Sequence, residues 1–204
     1  MDASEPSPVR RESKRAGRPT EVDPEAVAAI ALALFHTHGF DNVSMDDIAE
    51  AAGISRRSLF RWFPAKAALV WGGTVQADQR MDDAIAELAG EAKDLSVAEI
   101  VRAAYLRSME PLGATSDITR QRLLIIASNA QVFAWGAPLR ARLGAHLEEH
   151  LAGLLGEPAD SLVVQATAAA YGEVAYAGLV WWARHGGDRS PSDVVAEAFA
   201  SVRP

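Results

Sequence analysis

Two groups of residues in this 204-residue chain have the types and spacing to do chemistry. The first is cationic. Arg56, Arg57, Arg61 and Lys66 lie close together, interleaved with Ser55, Ser58, Phe60 and Trp62. Guanidinium and ammonium groups beside hydroxyls suit phosphate oxygens, and a bidentate arginine suits the exposed edge of guanine. No Asp or Glu occurs from Ala51 to Ala77, although the whole chain carries a net charge of −7. A local basic surface on an acidic protein is what contact with a polyanion requires. The second group is His146-Leu-Glu-Glu149-His150, whose H-x-x-E-H spacing occurs in certain zinc hydrolases. Histidines four apart on a helix face the same way and can share a metal. Their neighbours Arg142, Glu148 and Glu149 give the segment the composition of a solvated face, and the spacing sets no third ligand. A metal-dependent helical hydrolase using His146, Glu149 and His150 is therefore the alternative reading, and no cofactor is expected.

The cationic group needs elements to hold it. Ser44 has the character of an N-cap, with Asp47 three residues on, where a carboxylate reaches back to a free backbone N–H. Ile48, Ala49 and Ala52 give that helix a small apolar face, and Gly53 suits its left-handed end. Ser55 caps a second helix whose apolar side is Leu59, Phe60 and Phe63. Two short helices about a glycine turn, the second bearing arginines at its start, follow the helix-turn-helix plan, in which the second helix enters the DNA major groove. An ordinary helical hairpin with solvating arginines is the plainer alternative. Upstream, Asp23-Pro24 opens a further helix, with Val27, Ile30, Ala31, Leu34 and Phe35 at helical spacing and Gly39 as its end. Before it lies a basic arm with Arg10, Arg11, Lys14, Arg15 and Arg18 and almost no apolar residues, which is expected to be disordered when free and to reach a minor groove.

Composition narrows the class. Apolar residues make up 49% of the chain, rich in alanine and leucine, which favours helices over strands. No cysteine is present, so neither disulfides nor thiolate chemistry enter. The basic arm has no apolar core of a secretory signal, so a cytoplasmic location is expected. Leu162–Ala183 is apolar enough to consider a bilayer span, but Gln165 and Glu173 interrupt it, and a helix buried on most sides is the better reading. No membrane partner is expected.

Residues 23–71 resemble the DNA-binding domain of the TetR/AcrR family of bacterial transcriptional regulators. The resemblance rests on Ala33-Leu34-Phe35, Gly39-Phe40, the run Ser44-Met45-Asp46-Asp47-Ile48-Ala49-Glu50-Ala51-Ala52-Gly53-Ile54-Ser55, and Leu59-Phe60, Phe63, Lys66 and Leu69. A finer resemblance, carried by Arg56-Arg57, the Phe60-Arg61-Trp62-Phe63 run and Val70-Trp71-Gly72, is to the branch that includes the mycofactocin-system regulators. The family resemblance implies an all-α homodimer. Its parts would be a basic arm over residues 1–22, a three-helix helix-turn-helix domain over 23–67 and a larger helical effector-binding and dimerisation domain over 68–204. It implies a repressor released from a palindromic double-stranded DNA operator by a small molecule, and the finer branch implies an acyl-CoA-like or other apolar effector. Carried over by position, Ser44 and Lys66 would meet phosphates. Arg56, Arg57 and Ser58 would face base edges, with Arg18, Ser55, Phe60, Arg61 and Trp62 nearby. Phe60 stands where the family usually has a phosphate-binding tyrosine, and Trp62 where histidine is frequent. Arg61 is the residue placed to compensate.

The rest of the chain reads as helices over Gln76–Ala89, Ser96–Met109, Asp117–Ala134, Pro138–Leu155, Ser161–His185 and Pro191 onward. The apolar, aromatic composition of the second part suits a ligand pocket, with Tyr105, Met109, Asn129, Phe133, Tyr171, Glu173 and Tyr176 as candidates. Glu173 has three options: a cationic ligand group, Arg120 or Arg122, or water. The family forms its dimer from the last two helices, which would put Tyr171, Ala175, Gly178, Trp182, Val195 and Phe199 at the two-fold interface.

Overall fold

The computed structural model describes residues 23–91, 94–110 and 116–202, and these contain helices and no strand. Arg18 and the rest of the 1–22 arm lie outside the described residues. The first helices are α1 (Pro24–His38), α2 (Met45–Ala51), α3 (Arg56–Trp62) and α4 (Lys66–Val70). The remainder are α5 (Thr74–Glu91), α6 (Val97–Met109), α7 (Ser116–Ser128), α8 (Ala130–Trp135), α9 (Ala137–Leu155), α10 (Leu162–His185) and α11 (Pro191–Ser201).

Caps written into the sequence set most of these boundaries. Asp23 accepts the Glu25 N–H ahead of α1. Ser44 and Asp47 form a reciprocal capping box at α2, with the Ser44 N–H donating to the Asp47 carboxylate at 2.7 Å. That backbone donor, and then the Ser44 hydroxyl, hold the Asp47 carboxyl below its ordinary pKa. Ser96 and Glu99 repeat the device at α6. Ser55, Ser161 and Ser190 cap α3, α10 and α11. Gly53 and Gly156 take positive φ at helix ends, where a side chain would be strained.

The N-terminal helices close around Leu32, Ile48, Leu59 and Leu69, each fully buried. This core also holds Phe35, Phe63 and Val70 and runs on into the body through Ile126 of α7 and Val132 of α8. In the body, α5, α6, α9 and α10 enclose Ile85, Val101, Leu151 and Val164. At the far end, Met109, Ala175, Val195 and Phe199 pack together, with Tyr105 and Tyr171 both leaning on the Phe199 ring. Burial pushes the Tyr105 phenol up to about 12.

Polar contacts add to this shared core between headpiece and body. The Trp71 indole N–H donates to the Val132 carbonyl at 2.9 Å, and its ring fills the space where a Gly136 side chain would stand. Arg122 of α7 pairs with Glu25 of α1 at 3.0 Å and lies against Gly72 and Gly73. Trp71 and the α4 side chains Ala67, Leu69 and Val70 therefore straddle the expected boundary between residues 67 and 68.

The structure departs from the sequence reading in three places. The helix expected over Asp117–Ala134 is broken at Asn129, whose side chain turns back to accept the Gln131 and Val132 N–H groups and starts α8. α10 is buried along one side only, since Leu162, Val163, Ala166, Ala170, Ala177 and Trp181 are exposed. The expected interface residues Ala175, Gly178, Trp182, Val195 and Phe199 lie on its inner side. Gly178 packs on Val195 and Ala198, and Trp182 is enclosed with its indole N–H on the Arg189 carbonyl. These residues hold α11 and its neighbours to α10 within the chain and have no surface to offer a second copy, while Tyr171 is half-buried among the aromatics. No helix among the described residues is long and apolar enough to cross a membrane.

Gly136→Ala places a methyl group inside the Trp71 ring position. The expected cost is about 1–3 kcal/mol, from overpacking a site with no slack, read as a lowered Tm or denaturation midpoint. An unchanged midpoint would mean that Trp71 has another place to go.

Candidate nucleic-acid interface

Helix α3 has seven residues and buries one of them, Leu59. Most of what the sequence singled out on it faces outward, while Ser58 is half-buried. Arg56, Arg57, Phe60, Arg61 and Trp62 are exposed, with Phe60 at 38% and Trp62 at 48%. Ser55 is occupied as the N-cap, accepting the Ser58 N–H at 3.1 Å while the two hydroxyls meet at 2.9 Å. The outward face is thus a patch of guanidinium groups and flat apolar rings at a helix start, a shape and charge suited to a groove lined by phosphates and base edges.

The cations on this face differ in how tightly they are held. Arg56 bridges to Asp46 of α2 at 2.7 Å and lies over the Phe60 ring. Both partners of that pair are well exposed, so the bridge contributes little and is readily exchanged for a phosphate. Arg61 stacks on Trp62. Arg57 makes no hydrogen bond or ion pair with any described residue, which leaves its whole donor fork available. Ser44 is exposed, with its hydroxyl engaged in the capping box. The phosphate contact expected of it would compete with the cap.

Lys66 is where the sequence reading changes most. Its ammonium donates to the carbonyls of Phe40 at 2.7 Å and Val43 at 2.9 Å and sits over the Phe40 ring. The group is partly buried beneath the loop between α1 and α2. Two of its three protons close that loop, leaving one for a phosphate. Position alone suggested a backbone contact, and only the folded loop reveals the structural one.

The ligand candidates separate into groups. Phe133 and Tyr176 come together, ring centres 6.1 Å apart, in an open groove between α7, α8 and α10. Ile126, Val180, Trp181, Arg184 and His185 also line it, and its volume is about 670 Å³. Arg140, which sequence reasoning did not single out, stacks on Phe133. Tyr105 and Met109 belong to the separate core around Phe199. Asn129 has its side-chain oxygen committed to the α8 cap. Glu173 faces water on the exposed side of α10. The arginines considered for it are engaged elsewhere: Arg122 with Glu25, and Arg120 with the Gly187 carbonyl and the Trp182 ring.

His146 and His150 do share one face of α9, against α5. His146 Nδ1 lies 2.9 Å from the Asp78 carboxylate, and His150 Nε2 lies 2.9 Å from that of Asp82. Glu149, the base a hydrolase would need, is exposed to solvent instead.

With this geometry in view, the chain can be set beside known proteins. Residues 28–70 match the family model described as bacterial regulatory proteins, tetR family, and residues 95–204 match the MftR C-terminal domain. The mycofactocin biosynthesis transcriptional regulator MftR of Mycobacterium tuberculosis is 50% identical over 58 residues, which is 28% of this chain and 29% of that protein. The transcriptional regulator EthR of the same species is 28% identical over 120 residues, 58% of this chain and 56% of that one. Both matches span less than two thirds of the relative's own length. Among solved structures, Thermus thermophilus FadR, a TetR-family repressor in complex with lauroyl-CoA, shares the fold with a TM-score of 0.61 at 19% identity. That likeness covers 89% of this chain and 97% of FadR.

Lys66→Met keeps most of the side-chain volume but strips two carbonyls of their charged donor. The expected loss of stability is about 1.5–3 kcal/mol, measured by urea denaturation of the full chain. A loss below about 0.5 kcal/mol, within the range of a surface substitution, would return Lys66 to a purely phosphate-facing role.

Proposed function

We propose, from the premise that this chain belongs to the tetR family of bacterial regulatory proteins with an MftR-type C-terminal domain, that it is a homodimeric repressor released from a palindromic operator by a small, largely apolar ligand. DNA-binding transcriptional regulation, and not catalysis, is the family's activity. The observation that carries the finer reading is the outward face of α3, where Arg57 is exposed and unpaired among the described residues. We assign Arg57 to a base edge, Arg56 and Arg61 to bases or nearby phosphates, and Phe60 and Trp62 to packing against the groove wall. The basic arm, residues 1–22 with Arg18, is assigned to the adjacent minor groove.

Dimerisation is assigned to the outer side of α10. Val163, Ala166 and Ala170 give it a row of small apolar side chains on the part of the helix away from the Trp181 groove, and such a row lets two helices approach closely when it meets its own copy across a two-fold axis. Two α3 helices would then enter successive major grooves on one side of a rough palindrome.

The effector is assigned to the groove of Phe133, Tyr176 and Trp181, whose volume falls in the range of small-molecule sites. An acyl-CoA-like compound suits it. Apolar walls would take the chain, Arg184 offers a cation to an acidic head, and the structural neighbour FadR was solved with lauroyl-CoA. The groove has a direct route to the headpiece. Phe133 lines it, and the adjacent residue of α8, Val132, accepts the Trp71 hydrogen bond just beyond α4. A ligand that moves α8 therefore tilts α4 and changes the spacing of the α3 helices. It acts only to the extent that it binds one arrangement better than the other.

Arg57→Ala is expected to weaken binding to the operator by about 1–3 kcal/mol and to relax sequence preference at one position of each half-site, measured by fluorescence anisotropy on DNA selected by the wild-type protein. Unaltered affinity and preference would refute the assignment of Arg57. Separately, Ala170→Arg changes a residue already exposed in the single chain, so it should leave helicity intact and give a monomer by sedimentation. A dimer that persists would place the interface elsewhere.

A further inference from the structure

The Asp78, Asp82, His146 and His150 cluster is not used by the DNA face or by the effector groove, and the family assignment does not explain it. We infer that Asp78, Asp82 and His146 form a binding site for a divalent first-row transition metal, with His150 positioning Asp82.

Three observations carry this. First, the donors converge from two helices. Ligand atoms of Asp78 and Asp82 on α5 and His146 on α9 all lie within 4.8 Å of one another, each half-buried in the seam. Metal bonds of about 2.0–2.2 Å separate two ligands of one ion by roughly 3–4 Å, so closure takes side-chain rotation on the order of 1 Å and no backbone rearrangement. Second, the two carboxylates have only imidazole partners among the described residues, His146 and His150, and no fixed cation. Asp78 and Asp82 are four residues apart on one helix, where like charges repel. No lysine or arginine is paired with either carboxylate among the described residues. A dication between them removes that repulsion. Third, the outer partner is already in place. His150 Nε2 sits 2.9 Å from one oxygen of Asp82, and a ligand carboxylate held by a neighbouring hydrogen bond is the usual support of a metal site.

The donor set narrows the ion. One imidazole with two carboxylates suits zinc, cobalt, nickel or manganese in preference to calcium, which takes oxygen ligands alone. Three protein ligands leave room for water on the solvent side. Bound metal would pin α5 to α9. Because α5 follows α4 closely, the ion would stiffen the body next to the headpiece. The site shares no lining residue with the proposed effector groove, so it stands or falls independently of the ligand.

The test uses the full chain stripped with chelator and dialysed. Zinc titrated by calorimetry should bind at one ion per chain and raise Tm, and Co2+ used as a spectroscopic probe should give d–d absorption bands that zinc displaces. His146→Ala and Asp82→Asn should abolish both signals, and His150→Ala should weaken zinc binding about 10–100-fold. Asp83→Asn, an exposed neighbour bonded to Gln79, should change nothing. All four positions of the cluster are partly exposed, and circular dichroism of each variant before metal is added checks that the helices persist. No zinc uptake by the wild type would overturn the inference, as would uptake that His146→Ala and Asp82→Asn leave unaltered.

Discussion

Helix α3 is too short to be stable by itself, because so few residues cannot repay the cost of nucleation. What keeps it folded is the burial of Leu59 among Leu32, Ile48 and Leu69, together with the Ser55 cap. Burying a leucine contributes about 1.5–3 kcal/mol, and on so small an element that contact fixes both the helix and its rotation. Rotation matters more. With Leu59 turned inward, Arg56, Arg57, Phe60 and Arg61 face outward, so one buried contact aims the whole exposed face. The rest of the headpiece serves to hold that pocket in shape, down to Lys66 closing the α1–α2 loop over Phe40 and Val43.

The same core does not stop at the headpiece. Ile126 and Val132 belong to it, Trp71 reaches across to the Val132 carbonyl, and Arg122 ties α7 to Glu25. A change in α7 or α8 is thus felt by α4 through packed side chains and a hydrogen bond. Close-packed interiors transmit such shifts because they have little room to absorb them. The proposed effector groove lies on the other side of α8, which gives ligand and DNA a shared element to bias. A coupling of about 1–3 kcal/mol is the usual scale for such linkage.

How much of this was legible beforehand follows from the range of each interaction. Caps and turns are local, so Asp23, Ser44 with Asp47, Gly53 and Ser55 could be read from the sequence and stand where expected. The exposed arginines of α3 were legible because a short helix with one apolar stripe has only one way to face. Asn129 was expected to offer a polar group to a ligand; that its Oδ1 also caps α8 was not visible in its polarity. Trp182, Val195 and Phe199 were placed at a dimer interface by the family resemblance, which names the helices but not which side of each is buried within the chain. The pairing of Arg122 with Glu25, and of both histidines with Asp78 and Asp82, joins residues far apart in sequence. No local pattern encodes such partners, although the i, i+4 spacing of each pair was there to be noticed.

The central claim is that two copies of α3 enter the major groove about a two-fold axis. The chain has no cysteine, so Glu50→Cys gives a single attachment point on the exposed surface of α2, the helix that packs on α3, at a residue not assigned to DNA. An iron chelate tethered there would cleave operator DNA where this helix pair sits. The account predicts two cleavage clusters, one per half-site, related by the dyad and separated by about one helical turn or a multiple of it. A single cluster, or diffuse cleavage along the duplex, would contradict it.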